Sequence, residues 1–91
     1  KNVSIESGAI IKNFTDLEGV IVKEDCSIGP HARIRPFSKI EKNCKIGTHS
    51  TIMPSVTIGE NSIVAAYSFV TKNIPDNEIW GGIPANFIKK V

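Results

Sequence analysis

An aliphatic residue recurs at every sixth position from Val22 to Val70, nine times without an exception. A second column lies four residues after each member of the first, and eight of its nine residues are small or of modest volume. This column consists of Cys26, Ala32, Ser38, Cys44, Ser50, Val56, Ser62, Ser68 and Ile74. Upstream, Ile5, Ile11 and Leu17 hold the same period before a one-residue slip. Such a period predicts a solenoid of short strands, with the large column inside and the small column filling the remaining space.

Three six-residue units make a coil of 18, so residues 18 apart are expected to stack at the strand spacing of about 4.8 Å. Residues 22–75 then form three coils, and residues 5–21 form a fourth of 17. We divide the chain into a β-helix over residues 1–75 and a C-terminal turn with a short helix over residues 76–91. Pro84 suits the first turn of that helix, and Phe87 with Ile88 gives it a short apolar face.

The composition agrees with an all-β fold, because fifteen Ile and seven Val stand against one Leu, and branching at Cβ favours strands over helices. Eleven basic against nine acidic residues leave a net charge of +2, which is too small to predict a nucleic-acid surface. No apolar run is long enough to span a membrane. We therefore expect neither a nucleic-acid nor a membrane partner.

Cys26 and Cys44 lie 18 residues apart in the small inward column, and each is followed five residues later by a histidine. Two cysteines and two histidines have the composition of a zinc site, but the cysteines are expected inside and the histidines at an outward corner. Four ligands could not converge from there, so no metal is expected. The cysteines are better explained as reduced core residues of a cytoplasmic protein.

His31 and His49 are the only histidines, and both occupy the third position after an aliphatic residue, at a turn. Stacked on one outer corner with Tyr67 next in the column, they suit general-base catalysis, since a neutral imidazole is available at physiological pH. The alternative is that this position merely favours residues that accept a positive φ, as Asn43, Asn61 and Asn73 are expected to do at equivalent turns. The residues alone leave both interpretations open.

Five segments resemble a known family. The units 28–33 and 58–63 look like the hexapeptide repeats of the left-handed parallel β-helix acyltransferases. The segment 52–59 resembles the I-x-P-G-V-x-I-G motif of the maltose, galactoside and xenobiotic O-acetyltransferases. Residues 64–75 and 80–85 resemble the I-G-A-G-S-V-V-T-K-D-I-P segment and the G-N-P-A turn of the same enzymes.

This resemblance implies a left-handed parallel β-helix of about four coils that assembles as a homotrimer. It also implies acetyl-CoA as cosubstrate, and transfer of the acetyl group to a hydroxyl or amine of a sugar or related small acceptor. A histidine, His49 or His31, would be the general base. The backbone at Thr48 and Ala66 would face the pantetheine, Tyr67 would border the same groove, and Lys72 would lie towards the CoA phosphates.

The sequence does not decide between the two histidines. The related sugar acetyltransferases carry the base in a loop inserted before the unit at Ile46, and the unbroken register here has no such loop; His31 lies nearest to that position. His49 matches another arrangement, in which the base lies within a coil. With only four coils and Tyr67 in place of a motif glycine, a non-catalytic assembly domain or a degenerate paralogue is the alternative function.

Overall fold

The computed structural model describes Ser4–Ile5, Ile10–Ile11 and residues 19–91, and these contain thirteen strands and no helix. Eleven strands are two residues long, as a six-residue repeat with a turn in every unit requires. They are β1 Ser4–Ile5, β2 Ile10–Ile11, β3 Ile21–Val22, β4 Ser27–Ile28, β5 Arg33–Ile34, β6 Lys39–Ile40, β7 Lys45–Ile46, β8 Thr51–Ile52, β9 Thr57–Ile58, β10 Ile63–Val64 and β11 Phe69–Val70. Two longer strands, β12 Glu78–Gly82 and β13 Ala85–Lys90, close the chain.

Consecutive short strands lie on three different parallel sheets, so that three strands make one coil of a three-sided helix. The sheets have the orders β1-β3-β6-β9 (sheet A), β13-β12-β10-β7-β4-β2 (sheet B) and β11-β8-β5 (sheet C). Val22 pairs with Ile40 and Ile40 with Ile58, which confirms the 18-residue coil. Ile5 pairs with Val22 at a spacing of 17, as predicted, whereas Leu17 lies outside the described residues. Strands β3 to β11 form three complete coils.

The core follows the two columns of the sequence. The aliphatic column from Val22 to Val70 is at most 3% exposed, and the small column from Cys26 to Ile74 is at most 5% exposed. Several small residues also donate a hydrogen bond, each to the carbonyl oxygen fifteen positions later. These are Cys26 to Glu41 (2.9 Å), Ser38 to Met53 (2.9 Å), Cys44 to Gly59 (2.9 Å) and Ser50 to Ala65 (2.8 Å). The column therefore selects for a small side chain with a donor, which ties each coil to the next.

The last coil is two residues shorter than the others. Ile58 bridges Ile74, and Val64 pairs with Trp80, both at a spacing of 16. Side chains replace missing backbone partners at this step. The Asn73 Oδ1 accepts a hydrogen bond from the Thr57 amide (2.9 Å), and the Asp76 Oδ1 accepts one from the Glu60 amide (2.8 Å).

The predicted C-terminal helix is wrong, because residues 85–90 form β13, antiparallel to β12. A helix of that length is marginal in water, whereas the open edge of β12 offers a row of backbone groups to pair with. Gly82, with φ 108°, and the cis bond between Ile83 and Pro84 make the turn. Within the described part of the chain, no helix is long and apolar enough to cross a membrane.

Candidate active site

Nine corners of the described coils are turned by one residue in the left-handed conformation, three positions after a buried aliphatic residue; Asn73, three positions after Val70, does not adopt this conformation. Between sheets B and C the left-handed residue is His31, His49 or Tyr67, with φ values of 59° to 63°. We call this column of three the histidine corner. Between sheets A and B the same position holds Asp25, Asn43, Asn61 and Asn77, with φ values of 60° to 62°. We call this column the Asx corner. The third corner holds Gly19, Phe37 and Ser55.

The three rings of the histidine corner form one stack. The ring centroids of His31 and His49 lie 4.8 Å apart, and those of His49 and Tyr67 lie 4.9 Å apart with only 8° between the ring planes. The stacking predicted from the 18-residue spacing is therefore confirmed. All three side chains are exposed, and Tyr67 is 62% accessible, so the ring edges are open to a ligand.

Thr48 connects the stack to the coil below. Its Oγ1 donates a hydrogen bond to the carbonyl oxygen of Pro30 (2.7 Å) and lies 2.9 Å from the Nδ1 of His49. The same Pro30 carbonyl also accepts the backbone N–H of His49 (3.2 Å). His49 is thus fixed through both its backbone and its ring.

The glycines beside the histidine corner are required by the close approach of neighbouring coils. A Cβ on Gly47 would lie 2.4 Å from the backbone nitrogen of Ala66, and one on Gly29 would lie 2.8 Å from that of Thr48. These distances are far below van der Waals contact, so the coils could not approach each other with a larger residue there. Close packing of Thr48 and Ala66 over the glycines therefore explains the glycine positions without reference to a ligand.

The remaining predicted ligand-binding residue, Lys72, lies elsewhere. Lys72 follows β11 and is exposed at the third corner, on the far side of sheet C from the histidines. Lys90 lies on β13 and pairs with Glu78 (3.8 Å). Trp80 packs against the core, and its Nε1 donates to Glu78 Oε1 (2.9 Å), which supports a packing role over stacking on a ligand.

The two cysteines lie inside the coil and the two histidines outside it. Cys26 and Cys44 are free thiols with exposures of 1% and 0%. The neighbouring Cys26 side chain and burial raise the pKa of the Cys44 thiol, which keeps it protonated and unreactive. Among the residues that the structure describes, no three His, Cys, Asp or Glu side chains group as metal ligands.

A cleft that the sequence analysis missed lies on the outer face of sheet C, between the histidine corner and the third corner. Its volume is about 370 Å³, and it is lined by Arg33, Arg35, Thr51, Met53, Pro54 and Phe69. Strands β5, β8 and β11 begin two residues after His31, His49 and Tyr67, so the cleft lies on the sheet that follows the ring stack, although no ring lines it. The available signal was the alternation of the strands, which points Arg33, Thr51 and Phe69 outward on one face. A second cleft of about 500 Å³, lined by Glu41, Glu60 and Asp76 among others, lies away from the histidines at the shortened coil.

The sequence family confirms what the fold indicates. Residues 37–72 match the family described as "Bacterial transferase hexapeptide (six repeats)". Residues 37–72 thus carry the repeats of this family. The predicted resemblance to the hexapeptide-repeat superfamily is confirmed, whereas the closer resemblance to maltose, galactoside and xenobiotic O-acetyltransferases stays a prediction.

Solved structures of hexapeptide-repeat proteins share this fold over almost the whole chain. A hexapeptide-repeat-containing acetyltransferase from Vibrio cholerae superposes with a TM-score of 0.86 at 23% identity, covering 97% of this chain and 62% of its own. A serine acetyltransferase from Brucella abortus gives a TM-score of 0.83 at 24% identity, covering 98% of this chain and 40% of its own. The left-handed parallel β-helix predicted from the sequence is confirmed.

Curated relatives match a shorter segment. The bifunctional protein GlmU of Nitratidesulfovibrio vulgaris is 43% identical over 42 residues, which is 46% of this chain and 9% of the relative. The bifunctional protein GlmU of Bartonella bacilliformis is 48% identical over 40 residues, again 9% of the relative. The matched segment thus spans about a tenth of the length of these relatives.

Proposed function

We propose that this hexapeptide-repeat protein is an acetyltransferase that moves the acetyl group of acetyl-CoA to a hydroxyl or amine of a small, sugar-like acceptor. The observation that carries the proposal is the exposed imidazole stack at left-handed positions. Asparagine turns the same backbone at the Asx corner, so the turn itself does not require a histidine. An observed residue in a sparsely populated conformation is a reason to look for a function.

Structural neighbours support the choice of cosubstrate. The serine acetyltransferase of Brucella abortus is also known in complex with coenzyme A, at a TM-score of 0.83 to this chain. A perosamine N-acetyltransferase mutant from Caulobacter crescentus, in complex with CoA and GDP-perosamine, gives a TM-score of 0.83 at 23% identity. These neighbours act on an amino acid hydroxyl and a sugar amine, and they motivate the acceptor class.

The transfer that we propose needs one base and no metal. A histidine nitrogen takes the proton of the acceptor O–H or N–H as the acceptor oxygen or nitrogen attacks the thioester carbonyl. The tetrahedral intermediate collapses with cleavage of the C–S bond, and the imidazolium returns its proton to the leaving CoA sulfur. The acetylated acceptor and free CoA are the products, so protons and electrons balance.

The column has different neighbours on its two sides, which suggests how the substrates divide. Thr48 and Ala66 precede the rings along the chain, and we place the pantetheine against their backbone, with Tyr67 at the border. The sheet C cleft follows the rings, and we place the acceptor there. The base then lies between the thioester and the acceptor.

Lys72 supports assembly as a homotrimer. It lies at the third corner, across sheet C from the histidines of its own protomer, so it could serve the CoA phosphates only in a groove between two copies. In a closed ring of three, each groove receives the histidine corner of one protomer and the third corner of its neighbour. Sedimentation equilibrium should give three times the mass of one chain, and a monomer would contradict this arrangement.

Calorimetric titration of the purified protein with acetyl-CoA tests the function most directly. We expect saturable binding and a thermal shift, followed by thiol release when acceptors are added. Neither heat nor thermal shift at millimolar acetyl-CoA would contradict the proposal and favour a non-catalytic assembly domain. His31→Asn and His49→Asn, which keep a residue suited to the left-handed turn, then assign the base; Asn43→Gly at the Asx corner is the matched control.

A further inference from the structure

The Thr48 hydroxyl lies between two groups that could each be its partner. Its Oγ1 is 2.7 Å from the Pro30 carbonyl oxygen and 2.9 Å from His49 Nδ1. A hydroxyl has a single hydrogen, and a carbonyl oxygen can only accept. Two oxygens 2.7 Å apart require a hydrogen between them, so the Thr48 hydrogen points to Pro30.

The position of that hydrogen determines which nitrogen of His49 carries a proton. Because the Thr48 hydrogen is used on Pro30, its oxygen can only accept from Nδ1. We infer that Thr48 is a positioning residue that holds His49 in the Nδ1–H tautomer and leaves the lone pair, and so the basicity, on Nε2. This inference rests on the proposed acetyl transfer for its catalytic consequence, but the tautomer itself is independent of it.

The ring stack adds the second constraint. His31 covers one face of the His49 ring, and Tyr67 covers the other almost in parallel. Stacking of this kind resists rotation of the ring out of the column. The hydrogen bond sets which edge of the ring faces the backbone, while the two neighbours set its plane.

His31 has no equivalent arrangement. The residue before it is Pro30, which has no hydroxyl, and the residue before Tyr67 is Ala66. Of the three residues that precede the histidine corner, Pro30, Thr48 and Ala66, only Thr48 therefore has a hydroxyl. The two histidines, which the sequence left equivalent, become different: His49 Nε2 is the base, and His31 supports its ring.

The chain of hydrogen bonds also fits the proton transfer. When Nε2 takes the acceptor proton, the imidazolium keeps its Nδ1–H bond to Thr48, and Thr48 keeps its bond to the Pro30 carbonyl. No group has to rotate, and the charged ring donates to an oxygen already polarised by a carbonyl dipole. The proton then leaves from Nε2 to the CoA sulfur.

Long-range proton–nitrogen correlation spectra of the ¹⁵N-labelled full chain test the tautomer directly. We expect the Nδ1–H pattern for His49 at about pH 8.5, where an unperturbed imidazole is neutral. His31→Asn assigns the signals. Thr48→Val should move His49 to the Nε2–H form that free histidine prefers, whereas Thr48→Ser should keep the Nδ1–H form. Thr51→Val, on the next strand, is the control. An Nε2–H pattern in the wild type, or no change in Thr48→Val, would overturn the inference.

Kinetics test the catalytic consequence. Thr48→Val should lower kcat about 10- to 100-fold with little change in the KM for acetyl-CoA, and Thr48→Ser should recover most of that loss. An unchanged kcat in Thr48→Val would contradict a positioning role. If the wild type transfers no acetyl group but shows the Nδ1–H pattern, the proposed function fails while the orientation of His49 by Thr48 stands.

Discussion

The histidine corner and the Asx corner use one backbone conformation for different purposes. Both place a residue at φ near 60° in every coil, and in both the backbone N–H of that residue donates to a carbonyl of the coil below. At the Asx corner Asn61 Nδ2 donates a hydrogen bond to Asn77 Oδ1 (3.0 Å). At the histidine corner the side chains stack and leave polar ring edges open.

The difference lies in the side chains and not in the turn. Asparagine, aspartate and histidine are all enriched in the left-handed region, whereas tyrosine is strained there by about 1 kcal/mol. Stacking on His49 offsets a similar amount at Tyr67. The turn therefore accepts the residues of either corner, and what distinguishes the histidine corner is its stack of exposed rings.

The largest effect is expected from a change that forces the coils apart beside the histidine corner. Gly47→Ala places a Cβ 2.4 Å from the Ala66 nitrogen and should destabilise the fold by about 3 kcal/mol, since backbone must move to admit it. Gly29→Ala, whose Cβ would meet Thr48 N at 2.8 Å, should cost less. Denaturant unfolding measures both. A loss below about 1 kcal/mol for Gly47→Ala would mean that the coils separate easily.

The buried donors beneath the corners come next. The Ser50 hydroxyl donates to the Ala65 carbonyl (2.8 Å) and accepts the Ser68 N–H (3.2 Å). Ser50→Ala leaves both without a partner and should lower the free energy of unfolding by about 1–3 kcal/mol. Ser50→Cys should lower the free energy of unfolding less, because Cys44, the preceding residue of the small column, donates to a carbonyl in the same way. Equal losses in the two variants would show that volume, and not the donor, matters in this column.

The smallest effect sharpens the comparison from the other side. Asn43→His puts an imidazole at the Asx corner without ring neighbours above and below. The change in the free energy of unfolding should stay below about 1 kcal/mol, because both residues are enriched in the left-handed region, and thiol release from acetyl-CoA should stay unchanged. A loss well above that value would mean that the turn discriminates against histidine.

The six-residue period predicted the strands, the core and the ring stack because each depends only on which residues are 18 apart. His31, His49 and Tyr67 were placed in one column in this way. The hydrogen bonds of the small column were not predicted, since a serine or cysteine there satisfies the volume rule whether or not it donates. The link from Thr48 to His49 was missed for the same reason, because it depends on a side-chain rotation within the repeat.

The C-terminal region was predicted wrongly because its decisive partner lies outside the local sequence. Pro84 and Phe87–Ile88 suit a helix start, yet β13 forms because the edge of β12 is available for pairing. The coil of 16 residues was missed as well. Its two-residue deletion is compensated by the side chains of Asn73 and Asp76, and no repeat pattern reports such a compensation.

One measurement tests the central claim that the histidine corner serves chemistry and not the turn. The variant with His31→Asn, His49→Asn and Tyr67→Asn converts that corner into the pattern of its neighbour. Denaturant unfolding should place its stability within about 1 kcal/mol of the wild type, since strain and stacking are lost together. Thiol release from acetyl-CoA should fall at least about 100-fold. The account would be contradicted if the triple variant were unfolded, if it kept full activity, or if the wild type were inactive.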